Sequence, residues 1–153
     1  MRRPRSNASE EEVGVSFQLP PERYREILEG LEFTRLELEV CSMKSTPDAC
    51  QSGNRRVHVD DSEAGFERMP DGSVAVWHSS ALRAKVGRAV VFRLDATFRL
   101  FFSSEHEFSD EFFEIFRSLN LSLHTWPYFR ELLSNLSSRT STPTLMLPLL
   151  KSP

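Results

Sequence analysis

Val90-Val91-Phe92-Arg93-Leu94-Asp95-Ala96-Thr97-Phe98-Arg99-Leu100-Phe101-Phe102 is the stretch that decides the fold. Val90, Phe92, Leu94, Ala96, Phe98, Leu100 and Phe102 share one parity, and Arg93, Asp95, Thr97 and Arg99 take the other. A period of two over seven apolar positions predicts a long strand with one buried and one wet face, the signature of an antiparallel sheet. Working back from it, Gly87 marks a reversal. Val74, Val76, Leu82, Ala84 and Val86 share a parity interrupted by His78 and Ser80, and Pro70-Asp71-Gly72 is a turn. Val57 and Val59 alternate with His58 and Asp60, and Leu36, Leu38 and Val40 with Glu37 and Glu39, giving two more strands, with Thr46 to Asn54 a loop by composition. The reading is an α+β fold with four antiparallel strands in a meander.

Helical periods flank the sheet. Pro20-Pro21 opens a short helix whose Tyr24, Ile27, Leu28 and Leu31 make one stripe and which ends at Gly30. After the sheet, Ser109 is placed to cap a helix with Asp110 and Glu111 in its first turn and Phe112, Phe113, Phe116 and Leu119 as its stripe. Asn120 to Thr125 breaks that pattern. Pro127 then starts a second helix with Phe129, Leu132, Leu133 and Leu136 on one face, and Pro143 to Leu150 reads as an extended apolar segment, since proline disfavours helix in the residue before it. Residues 1–19 are expected to be a flexible polar N-terminus, residues 20–150 a single domain and residues 151–153 a short tail.

The chain has 153 residues and a formal charge of −3, and eight of its 12 phenylalanines lie between Phe92 and Phe116. Charge is uneven: residues 1–76 carry 10 Lys/Arg against 15 Asp/Glu, and residues 77–153 carry 9 against 7. An acidic front half argues against a nucleic-acid surface, which needs clustered Lys/Arg to displace counterions. Arg2, Arg3 and Arg5 are followed by polar and acidic residues where a signal peptide would be apolar, and no run approaches a membrane span, so the expected compartment is the cytoplasm. Cys41 and Cys50 are too few for a disulfide scaffold; they read as free thiols, with a labile bridge closing the loop between them as the alternative.

Catalytic chemistry has no positive signal. His58, His78, His106 and His124 lack the spacing of a triad or a metal-binding helix, and Glu105-His106-Glu107 with Glu114 reads as a charged connection. Neither a cofactor nor a metal is expected, nor an enzyme. The positive signal is apolar quantity. The two C-terminal helices and the segment after them carry more Phe, Leu, Trp and Met than one face of a four-stranded sheet can cover, leaving core, subunit interface and polypeptide groove as alternative destinations.

Trp126-Pro127-Tyr128-Phe129-Arg130-Glu131, Ser138-Arg139 and Pro143-Thr144-Leu145-Met146-Leu147-Pro148 resemble the PYxRE…SR…PxLxL signature that ends the SecB family of export chaperones. The signature spans about 25 residues, with Arg139 lying 12 and Pro143 lying 16 residues after Pro127. The resemblance implies sheets paired into dimers, dimers associating into a tetramer, and an ATP-independent holdase that keeps unfolded clients in apolar grooves. On that basis Trp126, Phe129, Leu132, Leu133, Leu136, Leu145 and Leu147 are the expected client-binding residues, and Phe112, Phe113, Phe116 and Leu119 the expected oligomer interface. Arg130, Glu131 and Arg139 are expected to pair or to bind carbonyls. Thr140 and Leu149-Leu150 depart from the usual signature, and the acidic tail and final helix of export-type members do not follow. The resemblance therefore implies two alternative kinds of partner, the SecA motor in protein export and the antitoxin of a toxin–antitoxin pair.

Overall fold

The computed structural model describes residues 18–46, 55–140 and 144–149, leaving most of the expected N-terminus, most of the first loop, Cys50, Pro143, Leu150 and the last three residues outside the described residues. Helix α1 spans Pro21–Glu29, followed by strands β1 (Leu31–Ser45), β2 (Arg55–Arg68), β3 (Val74–Val86) and β4 (Ala89–Ser104). Helix α2 (Asp110–Phe116), a π-turn (Arg117–Leu121) and helix α3 (Ser122–Ser137) complete the regular structure. The four strands form one antiparallel sheet in the order β1-β4-β3-β2.

That order corrects the expected meander in one place. Strands β2, β3 and β4 do follow one another through tight turns at Gly72 (φ 86°) and Gly87 (φ 61°), left-handed conformations that glycine adopts without strain. β1, however, pairs with β4, so β1 and β2 form opposite edges. The reason is burial: β4 and β3 carry the longest apolar faces and take the centre, where both flanks are paired. Leu82, Leu94, Leu100 and Phe92 are all fully buried there.

Bulges correct the parity as well. Between Ala84 and Lys85 the register slips, so Val90 pairs with Lys85 on the outer face and stays exposed while Val91 is buried. In β1, slips after Phe33 and after Leu38 put Phe33, Leu36, Leu38, Cys41 and Met43 opposite the inward residues of β4, while Val40 pairs with Thr97 and points outward. Strand β1 also starts at Leu31, directly after α1, rather than at Leu36.

The helical region differs from its expected division. Pro127 lies inside α3, and the break falls earlier, in the π-turn. Phe112, Phe116, Leu121, Thr125, Phe129, Leu133 and Ser137 are all buried, each four residues after the last except for one step of five across the π-turn. One extra residue thus rephases two helices into a single stripe on the sheet. Ser109 Oγ accepts from the Phe112 N–H at 3.2 Å, the expected cap. Tyr24 of α1 stacks on Phe112 and donates its hydroxyl to Asn120 Oδ1 in the π-turn; burial pushes its pKa up to about 12.

Candidate functional site

Residues 144–149 lie extended against α3. Leu145 and Leu147 are 7% and 8% exposed, while Met146 and Leu149 between and beyond them are 71% and 70% exposed. Side chains of α3 hold the backbone of this segment. Ser137 Oγ accepts from the Leu145 N–H at 2.9 Å, Arg130 Nε donates to the Leu147 carbonyl at 2.5 Å, and Trp126 Nε1 donates to the Pro148 carbonyl at 2.8 Å. Burying the two leucines contributes roughly 1.5–3 kcal/mol each. Arg130 thus meets its expectation of binding a carbonyl, and Arg139 Nε donates to Asn135 Oδ1 at 3.1 Å.

The expected client groove is therefore a place the chain fills itself. Phe129 and Leu133 are buried in the core, Leu145 and Leu147 cover it, and Trp126, Leu132 and Leu136 pack partly buried against it. None of the buried four offers a side chain to another molecule in this arrangement. Of the residues expected at an oligomer interface, Phe112, Phe113 and Phe116 join Phe66 and Phe108 in a ring cluster with centroids 4.9–6.3 Å apart, and Leu119 is exposed. Much of the C-terminal apolar content is taken up within the chain, where α1 and the segment 144–149 pack into the same core as α2 and α3.

A continuous run of partly open apolar side chains lies on β1. Phe33, Leu38 and Met43 are 37% to 44% exposed, Leu36 is half-buried, and all sit on the sheet face that the helices cover elsewhere. At roughly 3.3 Å per residue, Phe33 to Met43 spans about 33 Å. The α3 side of the strip is built by His124, whose ring lies 6.1 Å from Phe33, and by exposed Tyr128, 6.4 Å from Phe98. His124 is enclosed by Phe33, Phe102 and Phe116, and that burial holds its pKa below the usual value. The sequence signal for this strip was present in Leu36 and Leu38, but two bulges hid the contributions of Phe33 and Met43.

The opposite face of the sheet is polar and charge-paired. Arg35 reaches Glu37 at 3.1 Å and lies 4.1 Å above the Phe101 ring, Arg99 pairs with Glu67 and lies 3.7 Å from Glu39, and Arg93 pairs with Asp95 at 2.6 Å. Trp77 lies flat across β2 at Gly65, where a Cβ would fall 2.1 Å from the indole, so only glycine fits beneath it. The histidines occupy four different environments. His58 is 2.8 Å from Asp60, His78 is buried 2.7 Å from Thr125, His106 is 4.0 Å from Glu26, and His124 lies among the phenylalanines. Among the described residues no three His, Cys, Asp or Glu side chains converge as metal ligands, and Cys41 is an exposed free thiol. Among them, too, no helix is long and apolar enough to cross a membrane.

No family model matches the chain, and no curated protein matches it. Among solved structures it is similar to the SecB-like chaperone Rv1957 of Mycobacterium tuberculosis, solved in complex with a ChAD peptide from the HigA1 antitoxin. The TM-score is 0.74 over 86% of this chain and 99% of that one, at 19% sequence identity. The chain thus has the fold of a SecB-like chaperone, and its α+β order of one helix, four antiparallel strands and two C-terminal helices is the one expected from the sequence.

Proposed function

We propose that this protein is an ATP-independent holdase of the SecB type, acting in the cytoplasm on non-native polypeptides. The observation that carries the reading is the open apolar strip of β1, bounded by Tyr128 and His124 on a fold similar to that of a peptide-bound chaperone. A non-native segment exposes apolar side chains, and burying them against Phe33, Leu36, Leu38 and Met43 is favourable whatever their order, because the hydrophobic effect is non-directional. β1 is also an edge strand, so a bound segment can take up hydrogen bonds as well as apolar contacts. Holding requires no bond to be made or broken, and no catalytic step is assigned to any residue.

The resemblance to the SecB signature extends the proposal to assembly as a dimer of dimers, with release by a downstream partner such as the export motor. The antitoxin peptide held by the structural neighbour favours a narrower variant, a chaperone dedicated to one antitoxin. Competition separates the two. A general holdase loses its bound chain to an unrelated unfolded protein; a dedicated one keeps it.

The test is suppression of aggregation of a chemically denatured client diluted into buffer. Near-stoichiometric chain should suppress light scattering, and Leu38→Glu should weaken suppression several-fold while leaving stability within about 0.5 kcal/mol, as expected for a surface substitution. Failure of the unmodified chain to reduce scattering contradicts the reading.

A further inference from the structure

The segment 144–149 is bound to α3 in the manner of a peptide ligand. α3 grips its backbone as well as its two inward leucines: Ser137 Oγ accepts an N–H, and Arg130 and Trp126 each donate to a carbonyl. Its inward side chains come at alternate positions, Leu145 and Leu147, with Met146 and Leu149 left outside. Main-chain hydrogen bonds supply affinity without reading sequence, and alternate pockets select only for apolar character. Beside the exposed Met146 runs an open cleft of about 430 Å³ walled by Glu131, Asn135 and Ser138.

We propose that this face of α3 is a second polypeptide-binding site, with residues 144–149 as its resident occupant and an extended non-native segment bearing apolar side chains at alternate positions as its exchange partner. The proposal rests on the holding function above and extends it from the β1 strip to the other side of α3. Because the resident segment belongs to the same chain, it competes at a high effective concentration. The site therefore reads as weak until the segment leaves, by the fraction of time it is vacant. A client able to offer a longer apolar alternation displaces the segment, and Arg130, Trp126 and Ser137 pass from one backbone to the other.

The experiment titrates a fluorophore-labelled synthetic peptide with the sequence of residues 143–150 into the full chain, read by fluorescence polarisation. The full-length Leu145→Asp/Leu147→Asp variant, whose own segment is expelled, should bind the peptide at least about tenfold more tightly than the unmodified chain. Adding Arg130→Ala to that variant should weaken binding roughly tenfold, the size of one charge-assisted hydrogen bond. A peptide whose two inner leucines are serine should not bind. Where the double variant fails to fold, Leu147→Ser alone is titrated in its place. Equal affinity with and without the resident leucines, no binding to a folded variant, or unfolding of both variants overturns the proposal, the last because the segment is then an inseparable part of the core. Aggregation suppression by the unmodified chain is measured in parallel. Suppression without peptide exchange removes this second site alone, whereas exchange without suppression removes the holding function and keeps the site.

Discussion

His124 shows how a single polar residue can serve a packing position. Its ring is enclosed by Phe33 of β1, Phe102 of β4 and Phe116 of α2, so burial favours its neutral form and lowers its pKa from the usual 6.5. The unfolded chain then binds a proton more readily than the folded one. Stability is full above pH 6.5 and falls as pH drops below it, toward the lowered folded value. Denaturant midpoints of the unmodified chain and of His124→Phe, compared between pH 7.5 and 5.5, should show a larger loss for the unmodified chain. The same loss in both would mean that other groups carry the whole pH dependence. From sequence, His124 stood only as a histidine without partners, because two of the three rings that enclose it, Phe33 and Phe102, come from strands distant in the chain.

The π-turn is the feature of the elements that most altered what the sequence conveyed. From sequence the stripe Phe112, Phe113, Phe116 and Leu119 is followed by a break from Asn120 to Thr125 and a second helix from Pro127, whereas the structure continues from Phe116 through the π-turn directly into α3. In the fold one extra residue absorbs the phase difference, and the stripe continues through polar Thr125, whose hydroxyl donates to the Leu121 carbonyl at 3.3 Å. Deleting Leu119, exposed in the π-turn, should leave the stripe at an unbroken spacing of four. The cost is then mainly the Tyr24–Asn120 contact, about 1 kcal/mol for one hydrogen bond. Deleting Ser134 within α3 should instead turn Ser137 and the residues beyond it out of phase and release the extended segment. Thermal unfolding followed by far-UV circular dichroism distinguishes them: a cooperative transition retained for the first, and lost or lowered by well over 10 °C for the second. Strand parity was legible wherever no bulge intervened, as along Phe92 to Phe102. It failed at Val40 and Val90, where a register slip reverses the face of a side chain without leaving any mark in the alternation.

At the scale of the whole molecule, the sequence made the α+β class and the number of strands readable, since both follow from period. Strand order did not follow, because alternation says which face a strand buries and nothing about which strand lies beside it. The candidate site was half legible. Trp126, Phe129, Leu133, Leu145 and Leu147 come together around the chain's own segment, while an open apolar strip lies on β1. Core and groove residues share one chemistry, so composition alone could not divide them. In the proposed function, non-native polypeptide is held on the β1 strip. Hydrogen exchange of the chain, with and without a saturating permanently unfolded client, measures this most directly. Slowed exchange across Phe33 to Met43 and at the Tyr128 turn of α3, with the β3 amides unchanged, is the predicted result. Unaltered exchange along β1 while the client is demonstrably bound would contradict it.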